Sequence, residues 1–149
     1  MAHLRILRSL LLFIPALLFV SPGEGTCTQF CHADPPKTKI IVHYFHGTVR
    51  CKTCLTIEAY TKEAVELFFS REISNKSLVF LPENIDEEKN AHYIDEFQLI
   101  SSSVVLEAVR DGKRMKWKLL PKVWELVHEK NKFFDYIANE TREFMRGLP

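Results

Sequence analysis

Hydrophobic and polar residues change their period several times along this chain, and each change marks an element. Lys39 to Phe45 is a β-branched and aromatic run of the length expected for a buried strand. After the short loop His46-Gly47-Thr48-Val49-Arg50 the spacing becomes helical. From Cys54 onward, Ile57, Ala64, Val65 and Phe68 share one face, flanked by Leu55, Ala59 and Phe69, while Glu58, Lys62 and Glu66 lie opposite at i,i+4 spacing. This predicts a helix running to about Arg71. Ser77 to Leu81 predicts a second strand, ended by Pro82, and Asp86 to Phe97 a short helix carrying Ala91, Tyr93, Ile94 and Phe97.

Ser103 to Arg110 predicts a third strand, which Asp111-Gly112 turns back as a hairpin. In the return strand Met115, Trp117 and Leu119 alternate with Arg114, Lys116 and Lys118. One side is therefore expected to pack, and the other to form a basic, solvated edge that deters strand pairing or receives an acidic partner. Pro121 opens the first of two C-terminal helical pieces, with a break expected near Asn131 and the second piece running through Phe133, Phe134, Tyr136, Ile137 and Phe144. Strand, helix, strand, helix, hairpin, helix is the order of an α/β domain with a mixed sheet covered by helices.

The first 25 residues stand apart. Arg5 and Arg8 precede an apolar run from Leu10 to Val20, and Ser21 to Gly25 break it, which is the layout of a signal peptide cleaved before Thr26. The expected organisation is a signal peptide over 1–25, an irregular segment over 26–38 holding Cys27 and Cys31, and one domain over 39–149. The protein is expected to be exported, to a periplasm or the cell exterior, with membrane attachment if the signal stays uncleaved. Residues 26–149 carry equal numbers of acidic and basic side chains, which argues against a general nucleic-acid or anionic-membrane binder.

All four cysteines fall after the signal: Cys27, Cys31, Cys51 and Cys54. Cys51-Lys52-Thr53-Cys54 follows a strand and opens a helix, at the carboxyl end of a strand where α/β sites generally lie. Cys51 is expected to be the attacking thiol, its thiolate favoured by the helix N-terminus and by Arg50 and Lys52 on either side. Cys54, one turn deeper, is expected to be the resolving thiol. His43 is a candidate proton acceptor for Cys54, against the alternative of a histidine satisfied by backbone contacts. Cys27 and Cys31 offer a second disulfide or a relay pair. A zinc site would need Cys27, Cys31 and His32 beside Cys51 and Cys54, and Cys27-x-x-x-Cys31-His32 lies one residue from a haem-attachment signature. The preferred reading assigns no metal and no cofactor. Asn75-Lys76-Ser77 and Asn139-Glu140-Thr141 match glycosylation sequons, which matter only in a eukaryotic secretory pathway.

The run Tyr44-Phe45-His46-Gly47-Thr48-Val49-Arg50-Cys51-Lys52-Thr53-Cys54, continuing through Ile57 to Val65, resembles a bacterial thioredoxin-like family named for a nitrophenyl compound nitroreductase subunit and associated with arsenic-resistance clusters. Ser103 to Leu106 and Lys122 to Val127 look like the same family's later pattern, so the resemblance covers roughly Lys39 to Phe144. It implies a thioredoxin-like mixed β-sheet flanked by helices, a redox-active cysteine pair, and a partner reductase or protein thiol–disulfide substrate. The first-strand alignment implies that His43 occupies the place of thioredoxin's buried acid. Arg50 stands where thioredoxins have tryptophan, and Ser101-Ser102-Ser103 where they have a cis-proline, so a trans loop is expected there. The alternative to an oxidoreductase is a non-catalytic subunit or metal-binding module that docks to a reductase.

Overall fold

The computed structural model describes residues 38–148; the signal peptide, the irregular segment and Cys27, Cys31 and His32 lie outside the described residues. Four strands form one mixed sheet in the order β2-β1-β3-β4. They are β1 (Thr38–His46), β2 (Leu78–Asn84), β3 (Ser103–Arg110) and β4 (Lys113–Leu119). β1 pairs parallel with β2 and antiparallel with β3, and β3 pairs antiparallel with β4. The helices are α1 (Lys52–Phe68), α2 (Ser70–Ser74), α3 (His92–Glu96), α4 (Val123–Leu126) and α5 (Lys130–Arg146), with a 3₁₀ turn at Glu88–Asn90. A parallel crossover through α1, followed by an antiparallel hairpin and a closing helix, is the mixed α/β thioredoxin arrangement expected from the order of elements.

β1 is an interior strand buried on both faces, which explains why its sequence is a continuous apolar run rather than an alternating one. Ile40, Val42 and Tyr44 face one side, where Ile57, Ala64 and Val65 of α1 and Phe133, Ile137 and Phe144 of α5 complete the main core. Phe45 faces the other side and packs with Phe97, Leu99 and Val105, flanked by Tyr93, Trp117 and Leu119. The sheet is thus a wall between a large helical layer and a smaller aromatic one.

The elements depart from the sequence expectation in several places. The first helix breaks at Phe69, which is buried with φ −130°, and continues as the separate short α2. β2 runs through Pro82 to Asn84; it is an edge strand, where a proline without an N–H is tolerated. The expected helix over Asp86–Phe97 is reduced to a turn, a 3₁₀ turn and α3, because Asp86 and Asn90 are drawn into other hydrogen bonds. The C-terminal break falls between Leu126 and Lys130, ahead of Asn131. The hairpin is as expected: Asp111 and Gly112 both take positive φ, 52° and 75°, as a type I′ turn requires.

The basic row of β4 is also divided. A register shift at Ala108/Val109 sets Val109 opposite Arg114 although Ala108 is opposite Lys116. The shift turns Arg114 to the aromatic face, over the Phe97 ring, while Lys116 lies over Phe144 on the other face and Lys118 pairs with Glu140. Met115, expected to pack, is 47% exposed.

Ile57 is fully buried between β1 and α5. Ile57→Ala should cost about 2–5 kcal/mol of unfolding free energy. Leu67→Ala, at a 63% exposed position of the same helix, should cost well under about 1 kcal/mol. Urea unfolding followed by circular dichroism measures both.

Candidate redox site

The chain leaves β1 at His46 and must turn sharply to start α1. Asp86, just beyond the end of β2, holds that turn. Its carboxylate accepts the Thr48 backbone N–H at 2.7 Å, Asn84 donates to the Thr48 hydroxyl at 3.0 Å, and the Ile85 N–H reaches His46 O at 2.9 Å. Gly47 lets the carboxylate come close, since a Cβ there would lie 3.2 Å from Asp86 Oδ2. These hydrogen bonds from Thr48 hold Asp86 below its ordinary pKa. Asp86 was invisible as a site residue in the sequence, because it reads there as the start of a helix.

The turn delivers Cys51 to the N-cap of α1, with φ −77° and ψ 161°. Cys51 Sγ accepts the Cys54 backbone N–H at 3.0 Å, one of the donors that a helix start leaves unpaired. Cys51 and Cys54 are joined as a disulfide, with their Cα atoms 5.0 Å apart. Cys51 is exposed and Cys54 is 8% exposed, so the two cysteines are unequal in access to solvent. Among the described residues no group of three or more histidine, cysteine, aspartate or glutamate side chains is arranged to hold a metal ion.

Beneath Cys54 lies Tyr44, fully buried. Its hydroxyl donates to the Cys54 carbonyl at 2.6 Å. Burial holds this phenol above its ordinary pKa, against the opposing pull of Ser102 and Arg50 beside it, so it remains a protonated donor. Ser102 belongs to the serine loop expected to face the cysteines, and Trp124 fixes that loop by donating its indole N–H to Ser102 O at 2.9 Å. Lys52, the first residue of α1, is exposed.

Arg50 is placed differently from the expectation that it serves Cys51. Its guanidinium pairs with Glu58 and lies 5.7 Å from the centre of the Tyr44 ring. Its charge is thus spent on Glu58 and the Tyr44 ring. In the sequence Glu58 reads as part of the solvated face of α1, opposite its apolar positions. The available signal was its position four residues after Cys54, which puts the two on adjacent turns of one face.

His43 is not brought to Cys54. Period-two alternation sends it to the face opposite Tyr44. There Nδ1 lies 2.5 Å from Glu83 Oε2 and Nε2 2.8 Å from Glu107 Oε2, under the rings of Phe45, Tyr93 and Phe97. Neither the role of direct acceptor for Cys54 nor satisfaction by backbone contacts matches this geometry, since both ring nitrogens are held by carboxylates. Glu107 is held in turn by Arg114 at 2.5 Å, and Arg114 reaches Glu96 at 2.6 Å. The result is a chain of alternating charge across the aromatic face: Glu83, His43, Glu107, Arg114, Glu96.

A mixed α/β domain with a Cys-x-x-Cys disulfide at the start of its crossover helix has the thioredoxin-like arrangement. No family model matches the sequence, and no curated protein matches it. Among solved structures, the reduced Schistosoma mansoni thioredoxin pre-protein is 19% identical, with 66% of this chain and 82% of that one covered and a TM-score of 0.39. Fasciola hepatica thioredoxin is 19% identical, with 68% and 80% covered and a TM-score of 0.38. A thioredoxin f2 in complex with ferredoxin:thioredoxin reductase is 20% identical, with 63% and 76% covered and a TM-score of 0.37. The fold assignment rests on the strand order and the placement of the cysteines.

The charge chain makes stability pH-dependent. Burial alone would lower the His43 pKa, but the hydrogen bonds and charges of Glu107 and Glu83 outweigh it and raise the pKa above 6.5. Burial would raise Glu107, but His43 and Arg114 outweigh it and lower its pKa below 4.5. The histidine contribution is complete below pH 6.5 and is lost as pH rises through the raised value. The Glu107 contribution is complete above pH 4.5 and is lost as pH falls through the lowered one. Urea midpoints should therefore be highest between pH 4.5 and 6.5, and His43→Gln should remove the decline above 6.5. Equal alkaline slopes in the two proteins would contradict this account.

Proposed function

We propose that this protein is an exported thiol–disulfide oxidoreductase that exchanges electrons between a protein disulfide and a partner reductase through Cys51 and Cys54. The observation that carries the reading is the unequal pair at the head of α1: an exposed Cys51 at the N-cap, joined to a buried Cys54. An inert cross-link needs neither the exposure nor the cap. In the reduced protein the Cys54 N–H and the helix dipole favour a Cys51 thiolate, and Lys52 adds a nearby positive charge. That thiolate attacks a substrate disulfide and Cys54 resolves the mixed disulfide.

The two most exposed large apolar side chains among those described, Val49 at 94% and Ile100 at 99%, sit on the loop that delivers Cys51 and on the loop that leads to Ser102. Apolar side chains exposed on these two loops favour a protein substrate over a small hydrophilic thiol. Export rests on the N-terminal pattern of residues 1–25. The likeness to nitroreductase-associated subunits supports a dedicated reductase as the electron partner. Among the described residues no helix is long and apolar enough to cross a membrane, so attachment would fall to the N-terminal apolar run.

Insulin reduction with dithiothreitol should be accelerated by the wild type and not by Cys51→Ser, while Cys54→Ser should accumulate a mixed disulfide on Cys51. Alkylation of reduced Cys51 should titrate at least one unit below the ordinary thiol value of about 8.5. An ordinary titration with no Cys51-dependent turnover would instead favour the non-catalytic docking subunit.

A further inference from the structure

Cys54 must lose its proton before it can resolve a mixed disulfide, and its burial works against that loss. His43, held by two carboxylates on the opposite sheet face, is not placed to take it. Glu58 is the first carboxylate after Cys54 along α1. Glu58 lies four residues after Cys54 within α1, a separation that brings Cβ atoms to about 5–6 Å on one helix face. Its side chain is only 24% exposed, and the guanidinium that grips it, from the residue immediately before Cys51, is 23% exposed. Arg50 Nε is buried without an acceptor among the described residues, so this guanidinium has Glu58 as its acidic partner and unspent donor capacity beside it. The ring of Tyr44 supports Arg50 from below, and the Tyr44 hydroxyl ties the same assembly to the Cys54 carbonyl.

We propose that Glu58 is the proton acceptor for Cys54 and that Arg50 is its positioning residue, an inference that rests on the exchange reading above. In the first step the Cys51 thiolate attacks one sulfur of a substrate disulfide. The Cys51–substrate S–S bond forms, the substrate S–S bond breaks, and the departing thiolate takes a proton from water. In the second, the Cys54 S–H proton passes to Glu58, directly or through one water. The Cys54 thiolate attacks Cys51 Sγ, the Cys51–Cys54 bond forms, and the Cys51–substrate bond breaks. The second substrate thiolate leaves with the proton that Glu58 returns. The substrate disulfide gains two electrons and two protons, and the cysteine pair supplies both electrons. Arg50 faces one anion throughout, the Glu58 carboxylate before proton transfer and the Cys54 thiolate after it. The net charge beneath the disulfide therefore does not change during the step.

The test isolates the second step. The reduced full-length chain is loaded at Cys51 with 2-nitro-5-thiobenzoate from the corresponding aromatic disulfide, and release of the coloured thiol by Cys54 is followed by stopped flow as a function of pH. Loading, performed by Cys51, serves as the internal reference. Glu58→Gln, which retains an oxygen for Arg50, should slow release relative to loading by about 100-fold near neutral pH. The deficit should shrink steadily as pH rises toward the thiol's own ionisation. Equal release-to-loading ratios at every pH would overturn the Glu58 assignment and leave exchange intact. A wild type that loads and never releases would overturn both. If Glu58→Gln does not fold, the wild-type profile decides. Release that levels off below neutral pH supports an internal acceptor, and release that rises tenfold per unit across the whole range excludes one.

Discussion

The structure turns on one strand that is buried on both faces and carries a polar side chain to each. Tyr44 and His43 are neighbours in sequence, and the pleat of β1 sends them to opposite sides of the sheet. Each is essentially without solvent, so each must find its hydrogen-bond partners inside the protein. Tyr44 finds the Cys54 carbonyl, with Arg50 and Ser102 beside it, and so fixes the first turn of α1 against the strand. His43 finds Glu83 on β2 and Glu107 on β3, and so ties its two flanking strands across its own. A one-residue slip of β1 would exchange these faces and leave both side chains unsatisfied.

The charge chain on the His43 face is weak evidence for stability by itself, because burying ions costs about as much as their pairing returns. Its structural consequence is clearer. Glu107 is 6% exposed and takes a cation from each side: His43 across β1 and Arg114 across β4. Arg114 can reach it only because the register shift at Ala108/Val109 rotates that residue out of the lysine row. The bulge and the buried carboxylate therefore specify one another. A regular β4 would have left Glu107 with one partner and placed Arg114 among Lys116 and Lys118.

Much of this was legible in the residues. The apolar run of β1, the helical spacing after Cys54 and the Asp111-Gly112 turn are local signals, and each produced its element. The placement of Cys51 and Cys54 at a strand-to-helix junction followed from those signals alone. What was not legible depends on partners distant in sequence. His43 and Glu107 are 64 residues apart, and nothing near either announces the pair. Pro82 reads as a strand stop unless β2 is known to be an edge. Asp86 reads as a helix start unless Thr48 is known to lie against it. Arg50 reads as a neighbour of Cys51 because sequence adjacency was the only distance available.

That last difference bears on how one motif can give two cysteines separate roles. The exposed charge of Lys52 beside Cys51 does not by itself distinguish two sulfurs that are close enough to bond. The structure instead divides the electrostatics. Cys51, at the N-cap, has the Cys54 N–H and the dipole of a 17-residue helix, both permanent features of the backbone. Cys54 shares its helix with Glu58, whose carboxylate is matched by the Arg50 guanidinium, a pair whose members can change partner when a proton moves. A fixed field suits a nucleophile that must be ionised before substrate arrives. A movable one suits a thiol that should stay protonated until the mixed disulfide has formed, because a permanently ionised Cys54 would compete for the same substrate sulfur from a position too buried to reach it.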